Sequence, residues 1–119
     1  MTDNVLIALS CGTDNPNRST RALMLATMAH KEGKNTAVFL LDEGVYLAQE
    51  GLTEHLRAAT GDSADDHLAY LQAHEVPILV CTPCAQARRI TADDLIEGAS
   101  MATAADLINR SCDAAVISL

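Results

Sequence analysis

The chain has 119 residues, which suits one compact domain over residues 1–119, and 49% of them are hydrophobic, enough for a single core. Its formal net charge of −8 argues against binding to nucleic acid or to an anionic membrane surface, since both require a basic face. No apolar run reaches the roughly 18 residues of a membrane span, and the N-terminus lacks the basic segment of a signal peptide.

Strand-length apolar runs and helical patterns alternate in the first part of the chain. Residues 4–10 form the first predicted strand. Asn15, followed by proline, is the predicted N-cap of a helix that runs to about Lys31. Residues 36–41 form the second predicted strand, and Asp42 is placed to cap a short helix after it.

The same alternation continues to the C-terminus. The polar segment 52–62 is predicted to be a loop, and Ser63 to cap a helix that ends near His74. Residues 76–81 form the third predicted strand. Thr91 and Thr103 each cap a further helix, and two more strands are predicted over the runs 98–100 and 114–119.

Nearly continuous apolar strands that alternate with helices are typical of a parallel sheet covered on both faces, which is an α/β fold. In such sheets the strand-to-helix turns share one edge, where ligands bind and chemistry takes place. The pattern predicts that Cys11, Cys81 and Cys84 lie at this edge, because each follows or ends a strand. Cys112 precedes the last strand and is predicted at the opposite edge.

The first helix is apolar around most of its circumference, including Met24, Leu25 and Met28. One interpretation is that the surplus apolar face meets another subunit. The other is that alanine and methionine side chains simply tolerate partial exposure. The sequence favours neither.

The stretch "LVCTPCAQARR" (79–89) carries the strongest chemical signal. Thr82 is a predicted N-cap and Pro83 a first helical residue, so Cys84 faces free backbone N–H groups and the positive end of the helix dipole. Arg88 lies four residues on, on the same helix face. Both effects favour a thiolate and indicate a reactive Cys84. Cys81 can equally be a small buried hydrophobic residue at a strand end.

Metal and disulfide interpretations of the cysteines have less support. Four cysteines without an export signal are typical of a reducing cytoplasm. Zinc requires four ligands, and one C-x-x-C pair supplies two, so we expect neither a metal nor a cofactor. A thioredoxin-type site is disfavoured because few residues follow Cys84 and no proline does. A dithiol redox function on another scaffold stays open.

Two segments, "EGKNTAVFLLDEGVYLAQEG" and "VCTPCAQARRI…DLIEGA", resemble the DsrE/DsrF-like sulfur-relay family, and the similarity extends over nearly the whole chain. The resemblance implies a three-layer α/β/α fold with a five-stranded, mainly parallel sheet. It also implies oligomers, commonly trimers or hexamers. Better-characterised relatives carry sulfur as a persulfide on a cysteine after the third strand and pass it between partner proteins.

The resemblance carries over to individual residues of the cysteine turn. Many members show C-x-x-C followed by Ala-Arg-Gly; Cys81, Cys84, Ala87 and Arg88 match, whereas Arg89 stands where glycine is usual. The implied persulfide site is Cys84.

Three functional hypotheses follow from these residues. The first is a sulfur carrier, in which Arg88 stabilises the Cys84 anion and Cys81 either resolves the persulfide or takes no part. Its partners would be sulfur donor and acceptor proteins. The second is a non-catalytic oligomeric binding module, and the third is a dithiol redox protein that uses Cys81 and Cys84.

Overall fold

The computed structural model describes residues 2–119, which form a five-stranded sheet in which all neighbouring strands are parallel. The strands are β1 (Asn4–Leu9), β2 (Asn35–Leu40), β3 (Ile78–Cys81), β4 (Ala99–Ala102) and β5 (Ala115–Ser118). Their order across the sheet is β4-β3-β2-β1-β5. The helices are α1 (Pro16–Lys31), α2 (Ala64–Ala73), α3 (Thr82–Ala87) and α4 (Ala104–Ser111), with 3₁₀ segments at Asp42–Ala48 and Ala92–Asp94.

The direction of the crossovers explains the three layers. From β1 to β4 the chain steps across the sheet in one direction, so right-handed crossovers place the intervening helices on one face. The return from β4 to β5 runs the opposite way and places α4 on the other face. The predicted three-layer α/β/α fold with a five-stranded sheet is confirmed, and the sheet is entirely parallel.

The main core lies between the sheet and the helices α1 and α2. It contains inward side chains of the three central strands, such as Ile7, Val38 and Val80, together with Leu23 and Leu71 of these helices. On the other face, Leu6, Phe39 and Leu79 form a smaller cluster against which Leu107 of α4 packs. No residue of α4 is buried, so this second layer is thin.

Several helix starts follow the sequence signals. The side chain of Asn15 accepts a hydrogen bond from the backbone N–H of Arg18, and α1 ends at Lys31 as expected. Capping boxes form at both Thr91 and Thr103. The helix expected after Thr91 is only a single 3₁₀ turn, however.

Two predicted caps are wrong. Asp42 does not cap the segment that follows it; it is that segment's first residue and has a left-handed backbone with φ of 48°. Thr82 is the first residue of α3 and not its N-cap, a position that Cys81 occupies. The Thr82 hydroxyl donates instead to the carbonyl of Ala102 at 2.7 Å, because β4 lies beside β3. Among residues 2–119, no helix is both long and apolar enough to cross a membrane.

Candidate functional site

The turns that follow β1, β2 and β3 meet at the carboxyl edge of the sheet. Gly12, after β1, lies so close to the carbonyl of Glu43 that a β-carbon there would collide with it. Gly44, after β2, is equally confined, since a β-carbon would lie 2.6 Å from the carbonyl oxygen of Leu9. Glycine at these two positions lets the turn after β2 pack directly on the turn after β1.

Cys84 lies in this edge region, as the third residue of α3. Its side chain is half-buried and packs against the border of the main core. The Cys84 thiol donates a long hydrogen bond to Oδ1 of Asp42, at 4.0 Å from the sulfur. An acidic group therefore faces the thiol that the sequence associates with a basic environment.

Arg88 binds the backbone of Cys84. Its Nη1 donates to the Cys84 carbonyl at 3.0 Å, and its Nη2 donates to Glu43 Oε1 at 2.5 Å. The hydrogen bond that Arg88 donates to Glu43 is the main reason that the pKa of Arg88 is raised. The guanidinium also lies 6.0 Å from the centre of the Tyr46 ring. Arg88 thus links α3 to the 3₁₀ segment after β2. Among residues 2–119, its guanidinium donates hydrogen bonds to oxygen atoms and not to the Cys84 sulfur.

Cys81 ends β3 next to Cys84, and its thiol is half-buried. Burial raises the pKa of the Cys81 thiol, and a hydrogen bond with Cys84 adds to the shift. The nearby negative charge of Asp42 acts in the same direction. Cys81 therefore favours its protonated, less nucleophilic form.

The other two cysteines have different surroundings. Cys11 is only 6% exposed, and its sulfur is 3.5 Å from the Ser19 hydroxyl, which donates to the Gly12 carbonyl. Cys112 is exposed and follows α4, at the amino edge of the sheet, as the sequence predicts. The structure brings Cys81, Cys84 and Arg88 together, seals Cys11 in the core and leaves Cys112 remote.

Two of the histidines, His67 and His30, contact polar side chains of neighbouring segments. His67 is 2.9 Å from the Asp62 carboxylate, and His30 Nδ1 is 2.8 Å from the hydroxyl of Tyr70. In the part of the chain that the structure describes, no three histidine, cysteine or acidic side chains are grouped so that they could hold a metal ion.

Sequence reasoning missed the two acidic residues of the site. The sequence pattern predicts Asp42 as a helix cap and contains no local signal that singles out Glu43. Both directly follow β2, the strand beside β3, so the carboxyl-edge rule that singled out the cysteines could also have found them.

Comparisons with known proteins agree with this fold. The uncharacterized protein MK0008 of Methanopyrus kandleri is 29% identical over 110 residues, covering 90% of this chain and 85% of that protein. The uncharacterized protein MJ0989 of Methanocaldococcus jannaschii is 37% identical over 94 residues, covering 76% of each. The crystal structure of YchN protein from E. coli has a TM-score of 0.80 at 22% identity, covering 100% of both chains, and so shows the fold.

The family assignment comes from a match along the sequence. The model of the DsrE/DsrF-like family matches residues 3–118, nearly the full length of the chain. The chain belongs to the DsrE/DsrF-like family.

Proposed function

We propose that this protein is a cytoplasmic cysteine-persulfide carrier of sulfur metabolism and that Cys84 is its sulfur-accepting thiol. The observation that carries the proposal is the placement of the four thiols in a chain of this family. Cys84 is half-buried at the carboxyl edge, Cys11 is enclosed in the core, and Cys112 lies at the other edge. A sulfur carrier needs a thiol that a partner can reach.

The transfer step balances without an external oxidant. The Cys84 thiolate attacks the outer sulfur of a donor persulfide, R–S–SH. A bond forms between that sulfur and the Cys84 sulfur while the donor S–S bond breaks. The donor leaves as a thiolate, R–S⁻, and takes the proton that Cys84 released. The reverse step, with an acceptor thiolate as the attacking group, returns Cys84 to its starting state.

Cys81 and Arg88 have supporting roles in this proposal. The raised pKa of Cys81 disfavours it as the first nucleophile, which supports Cys84 as the acceptor. Arg88 acts as a positioning residue, because its donors bind the Cys84 carbonyl and Glu43. This differs from the anion-stabilising role that its sequence spacing indicates.

Mass spectrometry after incubation with a persulfide donor tests the proposal. We expect one added sulfur atom, about 32 Da, on the peptide that contains Cys84. The Cys84→Ser variant should lose this adduct, and Cys112→Ser, which removes an exposed thiol at the other edge, should keep it. An adduct that persists in Cys84→Ser would contradict the proposal.

A dithiol redox protein is the second candidate, supported by the contact between Cys81 and Cys84. Both thiols are free in the structure, and Cys84 contributes to the raised pKa of Cys81. This function requires a Cys81–Cys84 disulfide with a potential near the cytosolic glutathione poise of about −220 to −260 mV. Redox titration with peptide mapping would detect it, and failure to form the disulfide under mild oxidation would exclude this candidate.

The proposal includes assembly of the chain into a homo-oligomer, a trimer or a hexamer. Such an assembly is equally expected if the protein is a non-catalytic binding module. Every residue of the edge strand β5 is exposed, including Val116 at 43% and Ile117 at 40%. Ile108 of α4 is 61% exposed. Covering these side chains in an assembly would remove apolar surface from water. Light scattering at several protein concentrations gives the subunit number, and a Val116→Lys variant should lower it.

A further inference from the structure

We propose that Asp42 selects the charge of the molecule that delivers sulfur to Cys84, favouring a neutral or cationic donor over an anionic one. The inference rests on the proposed function, because it takes the Cys84 thiol as the attacking group. It adds a substrate class and a residue that determines it.

The backbone holds Asp42 in a constrained position. Its φ of 48° lies in the left-handed region, which is uncommon for residues other than glycine, although aspartate and asparagine tolerate it best. On one side, the Leu41 N–H donates to the Leu9 carbonyl at 2.8 Å; on the other, confined Gly44 donates to the Leu41 carbonyl at 2.8 Å. Strained residues of this kind cluster at functional sites.

The carboxylate of Asp42 is an uncompensated charge beside the thiol. Its Oδ1 is 4.0 Å from the Cys84 sulfur, whereas the neighbouring Glu43 is neutralised by its ion pair with Arg88. Among residues 2–119, Asp42 forms no ion pair of its own. Of the two acidic groups in this turn, Asp42 therefore carries the charge that no ion pair offsets, and it lies beside the Cys84 sulfur.

The size of the selection follows from Coulomb's law. A charged group on the donor that comes within about 6 Å of the carboxylate in a water-like medium changes its local concentration by a factor of about three per unit charge. An anionic and a cationic donor therefore differ about tenfold. Added salt screens the effect, because the Debye length falls to about 3 Å at 1 M.

Thiol–disulfide exchange measures this selection without a persulfide. The Cys84 thiolate attacks a symmetric disulfide, a mixed disulfide forms on Cys84, and one small thiolate leaves. Three reagents share an aliphatic backbone and differ in charge: cystamine is cationic, bis(2-hydroxyethyl) disulfide is neutral, and dithiodipropionate is anionic. A change in the nucleophilicity of Cys84 alters all three rates equally, so the rate ratio between reagents isolates charge selection.

The experiment uses the full chain with Cys81→Ser and Cys112→Ser, so that Cys84 and the enclosed Cys11 are the remaining thiols. Intact-protein mass spectrometry follows each reaction. In Asp42→Asn, which keeps the shape and the tolerance for a left-handed backbone, the rate ratio of dithiodipropionate to cystamine should rise about tenfold at low salt. Asp3→Asn makes the same charge change before β1, at the amino edge, and should leave the ratio within about twofold.

Two outcomes overturn the inference. One is a ratio that changes less than about twofold in Asp42→Asn; the other is an equal change in Asp3→Asn. If Asp42→Asn does not fold, the effect of salt on the protein that retains Asp42 is measured instead. Raising the salt concentration to about 1 M should bring its dithiodipropionate-to-cystamine rate ratio toward that of a small uncharged thiol compound. An unchanged rate ratio refutes the inference. Absence of a sulfur adduct on Cys84 instead refutes the proposed function, so the two failures are distinguishable.

Discussion

Replacing Gly44 with alanine tests whether the turns of the carboxyl edge are packed as tightly as the structure indicates. The new β-carbon would lie 2.6 Å from the Leu9 carbonyl oxygen, and that oxygen belongs to β1, which is bonded to β2 on one side and β5 on the other. The turn after β2 must therefore move by several tenths of an ångström. Overpacking of this kind costs about 1–3 kcal/mol. For a chain of this length, each kcal/mol lowers the melting temperature by roughly 4 °C, so we expect a decrease of about 4–12 °C.

Urea and thermal denaturation followed by circular dichroism measure this cost. Gly33→Asn is the matched control, because Gly33 has φ of 79° and open space around its missing β-carbon. Asparagine tolerates this backbone, so the control should lose little stability. A second readout is the alkylation rate of Cys84, which should change in Gly44→Ala because Asp42 lies in the displaced turn. A loss of less than about 0.5 kcal/mol would show that the turn relaxes freely and would refute the reasoning.

Three further predictions concern individual hydrogen bonds and the burial of a thiol. Arg88→Lys should load persulfide more slowly than the unaltered protein, because one ammonium group cannot reproduce the forked contact with Glu43 and the backbone. Loading at the rate of the unaltered protein would contradict this. Hydrogen bonds from the backbone and hydroxyl of Thr103 lower the pKa of Asp106, so their stabilisation is complete above the unfolded-state pKa of about 3.9 and is lost as pH falls through the lower folded-state value. Denaturation of Asp106→Asn should therefore differ from that of the unaltered protein at neutral pH and converge with it in acid; a difference independent of pH would refute the cap. Burial raises the pKa of Cys81, so its alkylation should begin at higher pH than that of a free thiol, and peptide mapping across a pH series measures the onset.

Local sequence signals predicted the parts of the fold that local interactions determine. The sequence identifies Asn15 and Thr103 as caps because a cap bonds backbone groups only a few residues away. Asp42 has the composition of a cap but not its conformation. Its backbone follows from the packing of Gly44 against β1, a contact that no local pattern contains.

In the candidate site, too, local sequence signals predict local contacts but not those between distant segments. Helical spacing correctly placed Arg88 beside Cys84, but the partner of the guanidinium is Glu43, from a turn that precedes α3 by almost forty residues. Spacing along one helix gives the direction of a side chain and not the charges that other segments bring to it. The strand order supplies that information, because β2 lies next to β3.

The crossover through α4 has a consequence for how the molecule opens. This helix carries the chain from one border of the sheet to the other, yet none of its own residues is buried, and β5 is an edge strand that pairs with β1. Few buried contacts hold this unit, so its amide protons should exchange with solvent more readily than those of β2. Partial unfolding would then begin at α4 and β5 and expose Phe39 and its neighbours, the cluster against which Cys81 also packs.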